Sequence, residues 1–494
     1  MTSLVLTDSS QLTAEGFEKL PDQIISKGSE HIDLVAVPRL WWVLGGVGTA
    51  LLVIVIIVLA VTLSGSAVIL EGDEVLDVVP LIDGHNDLPW NLKSLASNKM
   101  ANFDFTKNFT NDPVWNCTSC FTDLPKLREG KVGGQFWVAY VSCNSQYKDA
   151  VEQTLEQIDV IKRLIKAYPN DLQFADSSES IWDAFNAGKI ASLIAVEGGH
   201  SIDSRLAVLR IMAEAGARYL TLTHSCNTPW ADGSPVDGTG GTPEHNGLTE
   251  YGKLVVKELN RLGVMVDLSH VSKQVMIDAI NVSRAPIIFS HSSAWSICNH
   301  HRNVQDDVLH NMTFFFFIIF IFIIIIIIII IIIIIIIIII IIIIIIIIKQ
   351  QQKCIQPTQN NGVVMVNFYS GFVSCSEANA TLDIVVDHIN HIRNVAGVNH
   401  VGIGADYDGV SKMPTGLENV SKYPDLFNRL ANTKAGEPTW TAEDLKKLAG
   451  LNLLRVFKDV EKVRDSLAAS GELPYEDLLP ETSLGNNTEC RTDL

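Results

Sequence analysis

The chain has 494 residues, 37 of them basic and 55 acidic, for a formal charge of −18. That sign speaks against nucleic acid as a partner and leaves small molecules or proteins as ligands. With 19 % charged and 47 % hydrophobic residues, the composition is neither disordered nor fibrous, and burying a large core is no difficulty.

In chain order, about forty mostly polar residues come first. An uncharged apolar run then lies between Arg39 and Glu71, densest over Trp41–Leu63, and exceeds the roughly 20 residues a helix needs to cross a bilayer. A cleaved signal peptide would begin its apolar core nearer the N-terminus. Lys27 and Arg39 precede the run, while Glu71, Asp73 and Glu74 follow it with no Lys or Arg before Lys93. This bias places the N-terminus in the cytosol. The expectation is a single-pass type II protein of the cell membrane. It comprises a cytoplasmic tail (1–40), a transmembrane helix in the lipid bilayer (41–63), a linker (64–78), an extracellular domain (79–470) and a C-terminal tail (471–494). Glycosylation sequons begin at Asn108, Asn116, Asn281, Asn379, Asn419 and Asn486, all beyond the span. Eight cysteines in an extracellular chain are expected to pair. Cys117 and Cys120 read as a local disulfide, because a zinc site of that spacing needs a second pair of ligands.

Beyond the span, short apolar runs ending in polar residues alternate with amphipathic stretches. The runs are Val78–Asp83, Gly134–Ser142, Ala191–Glu197, Arg218–His224, Val264–His270, Pro286–His291, Val363–Tyr369 and Val401–Asp406. Between them Ala150–Ala167, Ser204–Ala215, Leu248–Leu262 and Ile384–Val395 carry apolar residues near 3.6 spacing. Eight strands alternating with helices predict an α/β fold, a closed (β/α)₈ barrel of the TIM type. A doubly wound sheet would need a Gly-rich phosphate loop at its first helix, and none is present. The rhythm is broken by Phe314–Ile348, with 26 consecutive isoleucines from Ile323 to Ile348. Transmembrane helices carry mixed residues so that their faces can pack, and a second crossing would separate residues that belong to one site. Residues 313–358 therefore read as an artefactual insertion, such as a retained intron.

A barrel places its active residues at the C-terminal ends of its strands. His85, His224, His270 and His291 sit where such runs end, as do Asp87, Glu197 and Asp406. In Asp83-Gly84-His85-Asn86-Asp87 the strand period of two puts His85 and Asp87 on one side, where they can bind a divalent ion. His270 and His291, from adjacent strands, could hold another, and Glu197 has two oxygens with which to bridge both. Two such ions generate a hydroxide that is nucleophilic near neutral pH and polarise a carbonyl beside it. Imidazole with carboxylate suits zinc. Asp408 competes with Asp406, since strand alternation points both the same way.

These residues carry a resemblance. The segments Asp83–Trp90, Val196–Asp203, Thr221–Ala231, Asp267–His270, Phe289–Ser293, His301–Asn303 and Gly404–Gly409 resemble the membrane dipeptidase (renal dipeptidase) family, zinc peptidases of the amidohydrolase barrels. The resemblance runs from Val79 to Arg491, broken only by the isoleucine tract. It implies hydrolysis of dipeptides through a metal-bridging hydroxide, with two zinc ions per subunit. Cysteinylglycine conjugates such as leukotriene D4 and some β-lactams are the further substrates it implies. By position His85, Asp87 and Glu197 resemble the ligands of one zinc, and Glu197, His270 and His291 those of the other. His224, Arg302 and Asp406 match substrate-contacting positions. Arg302 offers a bidentate fork for a C-terminal carboxylate, His224 a donor to the developing oxyanion, and Asp406 a proton acceptor that returns the proton to the leaving amine. The same comparison pairs Cys143 with Cys226 and Cys298 with Cys375. It also matches Cys490 to a cysteine that links two subunits into a homodimer, and leaves Cys354 over. The N-terminal span, in place of the C-terminal lipid of mammalian relatives, is a departure from the family's pattern.

Overall fold

In the computed structural model, which describes residues 70–109, 112–115, 117, 119–312 and 360–489, the eight apolar runs and one further short segment fold as parallel strands. These are β1 (Leu81–Asn86), β2 (Val132–Tyr140), β3 (Leu172–Phe174), β4 (Ile190–Glu197), β5 (Ala217–Thr221), β6 (Met265–Asp267), β7 (Ile288–Phe289), β8 (Val363–Val366) and β9 (Val401–Ile403). Strands β1, β2, β4, β5, β6, β7, β8 and β9 pair in that order, and β9 returns to β1 through Asp83 and Ile403. The result is the closed eight-stranded TIM-type barrel that the rhythm predicted. The short β3 lies outside the ring. It pairs with Ile190–Ser192 on the edge of β4 that β5 takes over from Ile194.

Strands buried on both faces carry near-continuous apolar runs, and alternation sorts their side chains into two cores. Phe136, Val138, Leu193, Ala195, Met265 and Met365 fill the barrel, while Trp137, Ala139, Ile194, Val196 and Val364 face the surrounding helices. The helices lie close to their predicted places, at Ala150–Ala167, Leu206–Glu214, Glu250–Leu262 and Leu382–Ala396. Gly263, at φ +71, adopts the left-handed conformation that ends Glu250–Leu262.

Two sequence expectations change. Residues 72–77, placed in the linker, form a 3₁₀ turn whose Val75 and Leu76 are buried and whose Asp73 amide donates to Asn428 Oδ1 at 3.0 Å. The type II membrane placement, with its external domain, is not supported. Among the described residues no helix is long and apolar enough to cross a membrane, and residues 41–63 lie outside them. The isoleucine tract, Cys354 and Cys490 also lie outside the described residues. Disulfides join Cys117 to Cys120, Cys143 to Cys226 and Cys298 to Cys375.

Candidate active site

Five donor side chains meet at the C-terminal mouth of the barrel. His85 Nε2 lies 3.1 Å from Asp87 Oδ2 and 3.7 Å from Glu197 Oε1. The same Glu197 oxygen is 3.0 Å from His270 Nε2 and 3.4 Å from His291 Nε2, and those two nitrogens are 2.9 Å apart. All five residues are buried. Simple strand alternation does not bring His85 and Asp87 together. The β1–β2 register shifts between Asp83 and Asn86, and Asp87 has left the strand for the position just before the helix Leu88–Ala96, where its side chain makes no capping hydrogen bond. A bulge of this kind re-aims side chains beside active sites. His270 also escapes alternation, at φ +68.

The donor set fits a divalent cation. Ligand atoms about 2.1 Å from a tetrahedral ion stand about 3.4 Å apart, and the separations here run from 2.9 to 3.7 Å. Asp87 Oδ1 is buried without a hydrogen-bond partner, which is costly unless something charged arrives. Without a cation the cluster must supply its own positive charge. Burial disfavours the charged His85 ring, but the Glu197 and Asp87 carboxylates overcome it and raise its pKa to about 10. Burial, with Asp87 and Asp406 nearby, pushes Glu197 up to about 8 against the pull of His85. His270 and His291 are driven well below the usual histidine value by burial and by surrounding positive charge, so both offer neutral rings.

Further donor groups overlap with these five. Ligand atoms within 4.8 Å of one another also join Glu197 to His224 and His270, join His291 to His85, and bring Asp406 to His85 and Asp87. Cys143, Cys226 and His200 form a similar group, but its two sulfurs are spent in a disulfide.

A cavity of about 320 Å³ opens over the cluster, lined by His85, Asp87, Glu197, His224, Arg302 and Asp406 among others. Arg302 is 4 % exposed, with Nε and Nη1 unpartnered and Nη2 reaching only the His291 carbonyl at 3.5 Å. Burial lowers its pKa to about 10, so it stays charged near neutrality. His224 sits past β5 with its ring against Tyr140 and His270. Burial and the Arg302 charge bring its pKa to about 3, leaving a neutral imidazole. Asp406 accepts from Asn367 Nδ2 at 2.8 Å, and burial raises it to about 7.

Asp408 is turned elsewhere. It accepts from the Phe121 amide at 2.9 Å and from Asn91 Nδ2 at 3.1 Å. Asp406 and Asp408 both have φ near +68, so the chain between them is not a strand and alternation cannot orient them. Gly409 fits because a Cβ there would lie 2.2 Å from Asp87 Oδ2 and 2.6 Å from Asp406 Oδ1. Trp90, Tyr140 and Phe372 add aromatic rings to the lining that sequence reasoning did not single out, Trp90 packed edge-on against Tyr140 and Phe372 beneath Arg302. The strand-end rule points to Tyr140, the last residue of β2, whereas nothing local marks Phe372.

A family model described as membrane dipeptidase (peptidase family M19) matches residues 71–315 and 355–471, the break falling on the isoleucine tract. Among solved structures, a metallopeptidase from Rhodobacter sphaeroides bound to a phosphinate mimic of the dipeptide L-Ala-D-Ala is 21 % identical. That match covers 77 % of this chain and 99 % of that one, with a TM-score of 0.60. Dipeptidase AC, a metallopeptidase of family M19, is 22 % identical over 77 % of this chain and 98 % of its own, with a TM-score of 0.59. A probable dipeptidase from Pseudomonas aeruginosa is 18 % identical over 79 % and 98 %, with a TM-score of 0.60. At these identities the likeness carries the fold.

Proposed function

This chain belongs to the membrane dipeptidase family, peptidase family M19, and on that premise we propose that its mouth holds two zinc ions and hydrolyses free dipeptides. As a member it is a metallo-dipeptidase. His85, Asp87 and Glu197 would hold one ion, and Glu197, His270 and His291 the other. Bound there, the ions would supply Lewis-acid polarisation of the scissile carbonyl and a water acidic enough to attack near neutral pH.

The protein's own groups do the rest. Arg302 pairs with the substrate's C-terminal carboxylate and so measures its length. Neutral His224 donates to the carbonyl oxygen as negative charge develops, with no proton to lose near pH 7. Asp406, raised toward neutrality, takes a proton from the attacking water and delivers it to the leaving amine. Trp90, Tyr140 and Phe372 exclude water beside the scissile bond.

One observation carries this reading. A buried guanidinium with two unpartnered nitrogens faces the same small cavity as four of the five convergent donors, His85, Asp87, Glu197 and His270. The test is hydrolysis of a glycyl dipeptide, its C-terminal amide and the matching tripeptide, before and after chelation and zinc restoration. The free dipeptide alone should be cut efficiently, and only with metal. Undiminished cleavage after chelation, or a tripeptide cut as well as the dipeptide, would overturn it.

A further inference from the structure

Two buried hydroxyls stand behind two of the three clustered imidazoles, and each also touches a group that can only accept. Tyr219 places its Oη 3.0 Å from His85 Nδ1 and 2.9 Å from the Gly84 carbonyl oxygen. Ser290, just past β7, places its Oγ 2.8 Å from His291 Nδ1 and 2.6 Å from Asp267 Oδ2. A hydroxyl has one proton. Directed to the carbonyl and the carboxylate, those protons leave each ring to donate from Nδ1. The Nε2 lone pair of both rings is then free to face the cluster, the form in which imidazole takes a cation.

The support behind Ser290 is rigid. Asp267, with no exposed surface, also accepts from Thr221 Oγ1 at 2.5 Å, the Ser290 amide at 2.8 Å and the Ser269 amide at 3.1 Å. One carboxylate thus ties together the ends of β5, β6 and β7. His270 is held differently, since its Nδ1 is unpartnered. Its backbone carbonyl accepts from the Ser234 amide at 2.6 Å and from Thr223 Oγ1 at 3.1 Å.

We propose that Tyr219 and Ser290 are positioning residues, one for each ion, that fix His85 and His291 in the cation-accepting tautomer. The proposal rests on the two-ion reading above, in which His85 shares one ion with Asp87, and His291 the other with His270. Both side chains are fully buried and absent from the cavity lining, so neither touches substrate. Their loss therefore acts selectively. Removing the Tyr219 hydroxyl weakens the ion at His85, and removing that of Ser290 weakens the ion at His291.

The experiment titrates zinc into the chelator-stripped protein and its Tyr219→Phe and Ser290→Ala variants by calorimetry, with cobalt absorption reporting coordination. The parent should take two equivalents. Each variant should take one as the parent does and the other 10- to 100-fold more weakly. Thermal unfolding of the stripped proteins identifies any variant that has lost its fold, in which case the other variant decides. Parent-like affinity in both variants, or equal weakening of both ions in each, would overturn the proposal. A parent that binds one equivalent would sink the two-ion reading instead, and the hydroxyl argument would then require that one of the variants still weaken that ion at least tenfold.

Discussion

Replacing Arg302 by methionine removes the cation while keeping most of the side-chain volume. The fold should lose little, because the guanidinium makes no strong internal hydrogen bond and its flat face lies over Phe372, 5.2 Å from the ring centre. The substrate should lose much. Truncating one partner of a buried, hydrogen-bonded charge pair costs about 2–5 kcal/mol, most of it from stranding the other charge. At about 1.4 kcal/mol per decade this is roughly a 30- to 3,000-fold fall in kcat/KM. The carboxylate is gripped alike before and during reaction, so the loss should fall mainly on KM. Steady-state kinetics on a glycyl dipeptide and its C-terminal amide, with parent and Arg302→Met enzymes, form a double-mutant cycle. The parent should discriminate strongly against the amide and the variant hardly at all, with zinc content unchanged. A variant that still prefers the free carboxylate by the parent's ratio, or one that loses its metal, would refute the assignment.

Asp406→Asn should lower kcat about 10²- to 10⁴-fold with metal retained, while Asp408→Asn should lower the unfolding temperature and spare kcat. Activity and melting curves of the two variants separate these roles, and the reverse pattern would exchange them. Gly409→Ala should push Asp87 and Asp406 aside and cost about 100-fold in kcat/KM, and parent-like kinetics there would show that the loop yields. In the metal-stripped protein, His85 and Glu197 are raised to about 10 and 8, and above about pH 7.5, where the lowered His224, His270 and His291 are neutral in both states, the folded state binds more protons than the unfolded chain. For His85 that stability is fully present below about pH 6.5 and lost as pH rises through about 10. The unfolding midpoint of the stripped protein should therefore fall between about pH 7.5 and 10, and zinc should flatten the decline. A midpoint that rises over this window would contradict the cluster's electrostatics.

The eight barrel strands were legible because both faces of each are buried, so each reads as an apolar run with a polar end. Helices such as Ala150–Ala167 were legible through their one-sided apolar spacing. The strand β3 was not, because a three-residue edge strand over Ile190–Ser192 has too few residues to show a period. The first strand lies three residues later than predicted, because Val75 and Leu76 are buried in a preceding turn rather than in a linker. In the site, five candidate donors and Arg302 stand at strand ends and in motifs, whereas Asp267 and Ser290 lie inside motifs that gave them no role of their own, and nothing marks Tyr219.

Residue chemistry and the order of apolar runs were enough to specify a barrel with imidazoles and carboxylates gathered at one rim, because periodic burial and strand polarity are written locally. Which oxygen faces which nitrogen was decided only by the closed ring. The register shift of β1 against β2, the Tyr219 hydroxyl brought from β5 to His85, and the Asp267 carboxylate behind Ser290 all join residues far apart in the chain, and no local pattern encodes those.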